Sequence, residues 1–89
     1  MVKKRERLEI IRDILIIVNK KREIGPTRLL HLSNLSPQMF KEYVVSLEEK
    51  GFIRKEILKN KKKFTITGKG LQFLEDYRVI EKFVDSFGL

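Results

Sequence analysis

The sequence predicts a mainly α-helical fold that contains one small β-hairpin. Apolar residues recur at intervals of three and four over several segments, which is the spacing of one helix face. After Gly51 the spacing changes to about two, as in strands, and after Thr67 it returns to three and four. The chain has 89 residues and no cysteine, which excludes disulfides and thiolate metal sites. A chain this small buries a modest core, so a partner subunit is one source of added stability.

The first helix is predicted from Lys3 to Lys21, and it carries apolar residues on more than one side. A small core can cover one apolar stripe, so the second can meet another element or another subunit. The break at residues 24–27 ends this pattern, and Pro26 suits the first turn of a second helix, where its missing N–H costs nothing. The two stripes of the first helix are Leu8, Ile11, Leu15 and Val18, and Ile10, Ile14 and Ile17.

A turn at residues 33–35 separates the second helix from a third. Ser36 is a favourable N-cap for the third helix, and Pro37 is a favourable first residue. Gly51 suits the C-terminal end of that helix. Its core face is predicted to consist of Phe40, Tyr43, Val44 and Leu47.

Two segments rich in β-branched and aromatic residues, 52–57 and 63–67, predict a hairpin whose tip, residues 58–62, is highly basic. Thr67 can then cap one more helix. The apolar residues of this last helix alternate in spacing between four and three, as in a coiled-coil seam. They are Phe73, Tyr77, Ile80, Val84 and Phe87.

Positive charge is concentrated in two parts of the chain, whose formal net charge is +8. Residues 1–22 contribute +5 and residues 52–70 contribute +6. Such blocks suggest a polyanionic partner, either nucleic acid or an anionic membrane surface. The longest apolar run, residues 14–18, is far shorter than the roughly 20 residues of a membrane-spanning helix. With no signal or transit peptide recognised, we expect a cytoplasmic protein.

This order of elements is that of a winged helix-turn-helix. In such a domain the third helix enters the major groove of DNA, the second crosses the backbone, and the hairpin, or wing, reaches adjacent phosphates. We therefore predict a winged helix-turn-helix DNA-binding domain over residues 1–70 and a C-terminal dimerisation helix over residues 68–89.

Residues along most of the chain also match a known family pattern. The matching positions are Leu35-Ser36, Lys41, Tyr43-Val44, Leu47, Glu49-Lys50-Gly51-Phe52-Ile53 and Thr67-Gly68-Lys69-Gly70-Leu71-Gln72-Phe73-Leu74. With these residues the chain resembles the small archaeal winged-helix DNA-binding proteins of the 10a type. The resemblance implies a homodimer that binds duplex DNA, in which the last helix pairs antiparallel with its copy. Here the last helix stops near Leu89, which is shorter than a long coiled coil requires.

The candidate DNA-contacting residues lie on the second helix, the third helix and the wing. Thr27 and Arg28 offer a phosphate a helix N-terminus and a cation. Polar side chains on the third helix are of types that reach base edges or phosphates, and Val45 can meet a thymine methyl. The wing lysines repel one another, and DNA phosphates would relieve this repulsion. The full set is Thr27, Arg28, Ser36, Pro37, Gln38, Lys41, Glu42, Val45, Arg54, Lys59, Asn60, Lys61, Lys62 and Lys63.

Each of these features also has a plainer interpretation. The lysines of the wing can form a solvated turn, and the third helix can present an ordinary polar face. Lys3, Lys4 and Arg5 are further candidates for phosphate contact, or simply a frayed terminus.

The apolar stripes predict a homodimer, because the stripe of the last helix is too long for so small a domain to cover. The second stripe of the first helix is expected to pack against the partner's last helix. The predicted interface is Ile10, Ile14, Ile17, Phe73, Tyr77, Ile80, Val84 and Phe87.

No catalytic, metal or cofactor site is predicted. His31 is the only histidine, and no nucleophile, base and orienting group can be combined. Gly68-Lys69-Gly70 lacks the spacing of a phosphate-binding loop. The sequence carries no information on a small effector.

Two hypotheses follow. The first is a duplex DNA-binding protein, sequence-specific or architectural, that acts as a transcriptional regulator. The second is a winged-helix module that docks to a larger protein complex through its last helix. The wing lysines favour the first, and a membrane role is disfavoured because no helix combines a basic face with Trp or Phe.

Overall fold

The computed structural model describes residues 6–89 and confirms the predicted mainly helical fold with one hairpin. The predicted helix start at Lys3 lies outside the described residues, as do Lys4 and Arg5 with their predicted phosphate contacts. The elements are α1 (Arg7–Lys21), α2 (Pro26–Ser33), α3 (Pro37–Glu49), β1 (Ile53–Leu58), β2 (Lys61–Ile66) and α4 (Gly68–Ser86).

Side-chain caps fix the starts of α3 and α4, as the sequence predicts. The hydroxyl of Ser36 accepts a hydrogen bond from the Met39 N–H at 3.2 Å. The hydroxyl of Thr67 accepts one from the Gly70 N–H at 3.1 Å. Gly51 follows α3 with a φ of 80°, a left-handed conformation that glycine adopts without a Cβ clash.

The core lies where α1, α2 and α3 meet the hairpin. The predicted core face of α3 is confirmed, with Tyr43 half-buried beside three buried residues. Burial of each large aliphatic or aromatic side chain contributes about 1.5 to 3 kcal/mol. The buried apolar residues are Ile10, Ile14, Leu15, Val18, Ile24, Leu29, Phe40, Val44, Leu47, Ile53 and Phe64.

Helix α1 buries one stripe that takes residues from both predicted stripes. The buried members are Ile10, Ile14, Leu15 and Val18, whereas Leu8 and Ile16 are exposed. Helix α1 packs against α2, β2 and α4, so most of its apolar surface is covered within the chain. The prediction that Ile10 and Ile14 face a second subunit is therefore wrong, because these side chains are 4% and 0% exposed. Ile17 is half-buried against the same core.

The hairpin turn is shorter than predicted. Strands β1 and β2 pair up to a two-residue turn, Lys59-Asn60. Both turn residues have positive φ, 51° and 63°, as in a type I′ turn, whose twist matches that of the flanking strands. The expected five-residue tip is therefore wrong, and Lys61 and Lys62 belong to β2.

The segment before α2 adds one backbone pairing to the free edge of β2. The Ile24 N–H donates to the Phe64 carbonyl at 3.1 Å, and the Phe64 N–H donates to the Ile24 carbonyl at 2.8 Å. A Cβ at Gly25 would lie 3.7 Å from the Lys62 carbonyl oxygen. This pairing therefore holds the start of α2 beside the wing.

Helix α4 packs on the domain through its first half only. Phe73 and Leu74 are partly buried against the core, and residues 78–89 are exposed. A Cβ at Gly70 would overlap the Phe52 carbonyl oxygen, so this close approach requires glycine.

The projecting helix contributes to an elongated shape of 49 × 32 × 21 Å. None of the helices in residues 6–89 is long and apolar enough to cross a membrane.

Candidate nucleic-acid interface

Helix α3 presents a polar face to solvent, opposite its buried residues. Ser36 and Pro37 are also exposed, at the start of this helix. The exposed face contains Lys41 together with the carboxylates of Glu42 and Glu49, so it is not basic. Attraction to phosphates must therefore come mainly from other elements. The exposed residues predicted to read bases are Gln38, Lys41, Glu42 and Val45.

A basic groove lies between the start of α2 and strand β2. It is open to solvent and has a volume of about 700 Å³. The pairing of Ile24 with Phe64 creates it by holding the start of α2 beside the wing. Its lining residues are Lys21, Glu23, Ile24, Gly25, Pro26, Thr27, Arg28, Lys61, Lys62 and Lys63.

The groove unites two groups of predicted DNA contacts that are more than thirty positions apart in the sequence. Arg28 comes from α2, and three lysines come from β2. Lys21, at the end of α1, joins them, although it is not among the predicted DNA contacts. Five cations line the groove with a single carboxylate, that of Glu23. Such a concentration of positive charge attracts a polyanion and binds it in exchange for counterions.

The first turn of α2 adds hydrogen-bond donors to this groove. Its N-cap, Gly25, has no side chain to accept a hydrogen bond, and Pro26 has no N–H. The N–H groups of Thr27 and Arg28 lie at the positive end of the helix dipole, where an anion is favoured.

The basic residues of the wing are divided between its two faces. Cross-strand partners share a face, so Lys62 lies beside Ile57, and Lys61 lies beside Leu58. Lys63 faces Glu56 across the hairpin, on the same side as Lys61. Arg54 shares this second face and lies 3.9 Å from Glu56. The predicted basic set of the wing is thus two surfaces joined at the Lys59-Asn60 turn.

The start of α4 holds the junction between α3 and the wing. The Lys69 ammonium donates to the Lys50 carbonyl at 2.7 Å and lies 4.7 Å from the centroid of the Phe52 ring. The Thr67 hydroxyl lies 2.6 Å from the Gly51 carbonyl oxygen and 3.1 Å from that of Phe52, and it can donate to either. No pattern in the sequence indicates that Thr67 and Lys69 contact residues 50–52.

Arg12 fixes α4 to α1. Its guanidinium donates to Glu81 at 2.9 Å and to Asp13 at 3.0 Å, and it lies 5.1 Å from the centroid of the Tyr77 ring. Partial burial lowers the pKa of Arg12, but its hydrogen bond with Asp13 and the charges of Asp13, Tyr77 and Glu81 outweigh this effect, so its pKa is raised. Arg12 is therefore a permanent cation that anchors the middle of α4.

The predicted stripe of α4 divides into a covered and an uncovered part. Phe73 packs edge-on against Phe52 at a centroid distance of 5.9 Å, and Phe73 and Tyr77 are half-buried within the domain. The second half of the helix and the residues that follow it leave six large apolar side chains exposed, and these define the α4 apolar face. They are Val79, Ile80, Phe83, Val84, Phe87 and Leu89.

Comparison with known proteins places this architecture in a family. A family model described as winged helix-turn-helix matches residues 4–84. The chain belongs to the winged helix-turn-helix family. No curated protein sequence matches it significantly.

Solved structures share this winged helix-turn-helix fold at low sequence identity. One is Sso10a-2, a DNA-binding protein from Sulfolobus solfataricus, with a TM-score of 0.72, 24% identity and coverage of 94% of this chain and 90% of that one. Another is F-93 of SSV1, with a TM-score of 0.71, 18% identity and coverage of 98% and 95%. A MarR family transcriptional regulator from Silicibacter pomeroyi has a TM-score of 0.74 and 19% identity, over 91% of this chain and 57% of that one. The resemblance to small archaeal winged-helix proteins is confirmed.

Residues 6–89 contain no group of three His, Asp or Glu side chains close enough to hold a metal ion.

Proposed function

We propose that this winged helix-turn-helix protein binds duplex DNA as a transcriptional regulator or chromosomal architectural protein. The observation that carries the proposal is the basic groove between α2 and β2. Helix α2 contacts both α3 and β2, so neighbouring elements carry the groove and the candidate reading helix. Two proteins of the same fold support it, since Sso10a-2 is a DNA-binding protein and the Silicibacter protein is a transcriptional regulator.

In this proposal affinity and sequence selectivity come from different elements. The groove and wing cations bind phosphates and position the domain, whereas α3 enters the major groove and contacts base edges. Gln38 and Lys41 can donate to purine acceptors, Glu42 can accept from a cytosine amino group, and Val45 can contact a thymine methyl. Selectivity therefore resides on the nearly neutral face of α3.

The α4 apolar face supports a homodimer in which a second copy covers it. Each large side chain left in water forgoes about 1.5 to 3 kcal/mol of burial. Ile80 and Phe87 are 60% and 66% exposed. Arg12 anchors the middle of α4 through Glu81, which fixes the orientation of this face relative to the domain. Two linked domains would then engage two DNA half-sites and raise the effective concentration of the second.

The same face also favours the second candidate function, docking onto a larger protein complex. Sedimentation of the isolated chain separates the two, since self-association at tens of micromolar supports the homodimer. A chain that stays monomeric and does not bind DNA would support docking instead.

Salt-dependent binding tests the proposed function. Fluorescence anisotropy is measured on random and on selected duplexes at increasing salt. If a dimer neutralises about 6 to 10 phosphates, affinity falls roughly a thousandfold or more between about 50 and 200 mM salt. An affinity that does not change with salt would overturn the proposal.

A further inference from the structure

The tip of the wing exposes aliphatic side chains that the fold does not use. Ile57 and Leu58, the last residues of β1, are 65% and 37% exposed, and neither packs against the core. Because successive strand residues point to opposite faces, one aliphatic side chain lies on each side of the ribbon. The opposite strand places Lys62 beside Ile57 and Lys61 beside Leu58. Each exposed aliphatic residue is thus paired with a cation.

The turn itself adds a cation at a conformational cost. Lys59 has a φ of 51°, a conformation that costs a non-glycine residue about 1 to 2 kcal/mol and that Asn, Asp and Gly fill in most such turns. Asn60 at the second position tolerates this conformation. Glycine at the first position would avoid this backbone strain. The lysine found there instead places a positive charge at the tip.

The lysines at and beside the wing tip are not neutralised by ion pairs within the described part of the chain. Among residues 6–89, none of Lys59, Lys61, Lys62 and Lys63 forms an ion pair. The nearest carboxylate along the hairpin, that of Glu56, lies 3.9 Å from the Arg54 guanidinium. The charge therefore fits an anionic partner that surrounds the tip on both faces.

We propose that the wing tip is an apolar wedge that enters the minor groove of DNA and bends the duplex there. Ile57 and Leu58 would press against a base step, while Lys59, Lys61 and Lys62 bind phosphates of the two strands that border the groove. Apolar side chains that enter a base step unstack it partially and kink the duplex by about 20° to 90°. The amide of Asn60 can donate to the acceptors that every base pair presents in the minor groove.

This inference rests on the proposed function, since it requires the same chain to bind duplex DNA. An anionic membrane would also attract an aliphatic tip flanked by lysines. Two aliphatic side chains form a much smaller apolar surface than the amphipathic helices that bind membranes. Placement on the wing of a winged helix-turn-helix also favours DNA.

The test measures bending separately from binding. The full chain is added to a duplex of about 30 base pairs that carries a dye at each end and 2-aminopurine at the steps next to the wing. Energy transfer between the dyes reports the bend, and 2-aminopurine fluorescence reports unstacking. For the wild-type chain we expect energy transfer and 2-aminopurine fluorescence both to rise on binding.

The double variant Ile57→Thr and Leu58→Thr places β-branched threonine, a residue that strands favour, at both positions and keeps all of the lysines. We expect it to bind DNA within a few-fold of wild type and to lose both bending signals. Ile16→Thr, which changes an exposed aliphatic residue of α1, is the control and should bend DNA as wild type does. Circular dichroism checks that each variant is folded.

Three results would overturn the inference. One is wild-type binding without either signal, a measurement that needs no variant. Another is unchanged bending by the double threonine variant. The third is tighter binding to phosphatidylglycerol vesicles than to DNA that is lost in the same variant, which would assign the tip to a membrane. Absence of any DNA binding by wild type would instead overturn the proposed function.

Discussion

At the scale of single residues, Gly70 shows how one missing side chain brings two elements together. Its position in the first turn of α4 lies against the backbone of residue 52 and the Ile66 side chain. A Cβ there would overlap the Phe52 carbonyl oxygen and lie 2.6 Å from the Ile66 Cγ1 atom. The carbonyl is backbone and cannot rotate away, so α4 would have to shift from the hairpin.

Gly70→Ala therefore tests whether an added methyl group raises or lowers the free energy of unfolding, and by how much. Alanine in an open helical position stabilises by up to about 1 kcal/mol relative to glycine, but overpacking costs about 1 to 3 kcal/mol. We expect a net loss of about 1 to 2 kcal/mol in the free energy of unfolding, measured by urea denaturation. The control is Gly68→Ala, where a Cβ meets nothing within 4 Å and stability should stay equal or rise. Equal stability of the two variants would contradict the packing of Gly70.

At the scale of elements, the start of α4 joins the end of α3 to the wing. Thr67 caps α4 and reaches the carbonyls of Gly51 and Phe52, and Lys69 reaches the carbonyl of Lys50. The orientation of α3 relative to the wing is thus set by a few polar contacts from a third element. In the proposed DNA complex this orientation fixes the spacing between base contacts and phosphate contacts.

Thr67→Ala removes both the cap and the link to the junction. Loss of an N-cap costs about 1 kcal/mol, and loss of the second hydrogen bond adds about 0.5 to 1.5 kcal/mol. We expect a drop in the free energy of unfolding of about 2 kcal/mol in urea. Thr67→Ser retains the hydroxyl and should stay close to wild type. If the serine variant loses as much as the alanine variant, the threonine methyl rather than the hydroxyl stabilises the junction.

At the scale of the whole molecule, the projecting α4 leaves a protomer whose apolar surface is not fully covered. Ile10 and Ile14 are buried inside the protomer, so of the predicted dimer interface only Ile80, Val84 and Phe87 are exposed. The proposed dimer is therefore formed mainly by helix against helix. Phe83 and Phe87, with ring centroids 5.0 Å apart, belong to this exposed surface.

Two charges at this surface should separate the proposed dimer. In Ile80→Glu and Val84→Glu, carboxylates would be buried without partners, and the cost exceeds what the remaining contacts supply. Sedimentation equilibrium at tens of micromolar should give a monomer, and DNA affinity should fall because the half-sites are no longer linked. Arg78→Gln and Lys82→Gln lower the net charge by the same two units and should remain dimeric. A glutamate variant that stays dimeric would place the interface elsewhere.

The sequence alone determined the features that depend on near neighbours along the chain. Ser36 and Thr67 were identified as caps because the groups they bind are three residues away, and the core face of α3 followed from the spacing of its apolar residues. The change of period after Gly51 predicted the hairpin, although the number of residues in its turn depended on how the two strands paired.

Which surfaces are covered, and which distant residues come into contact, depends on how the elements pack. On α1 both apolar stripes have helical spacing, and the burial of Ile14 and Leu15 but not of Leu8 comes from the positions of α2, β2 and α4. The basic groove likewise depends on the backbone pairing of Ile24 with Phe64. Sequence periodicity depends on a residue and its near neighbours along the chain. Burial, and the approach of residues that are far apart in sequence, depend on elements that pack together from distant parts of the chain.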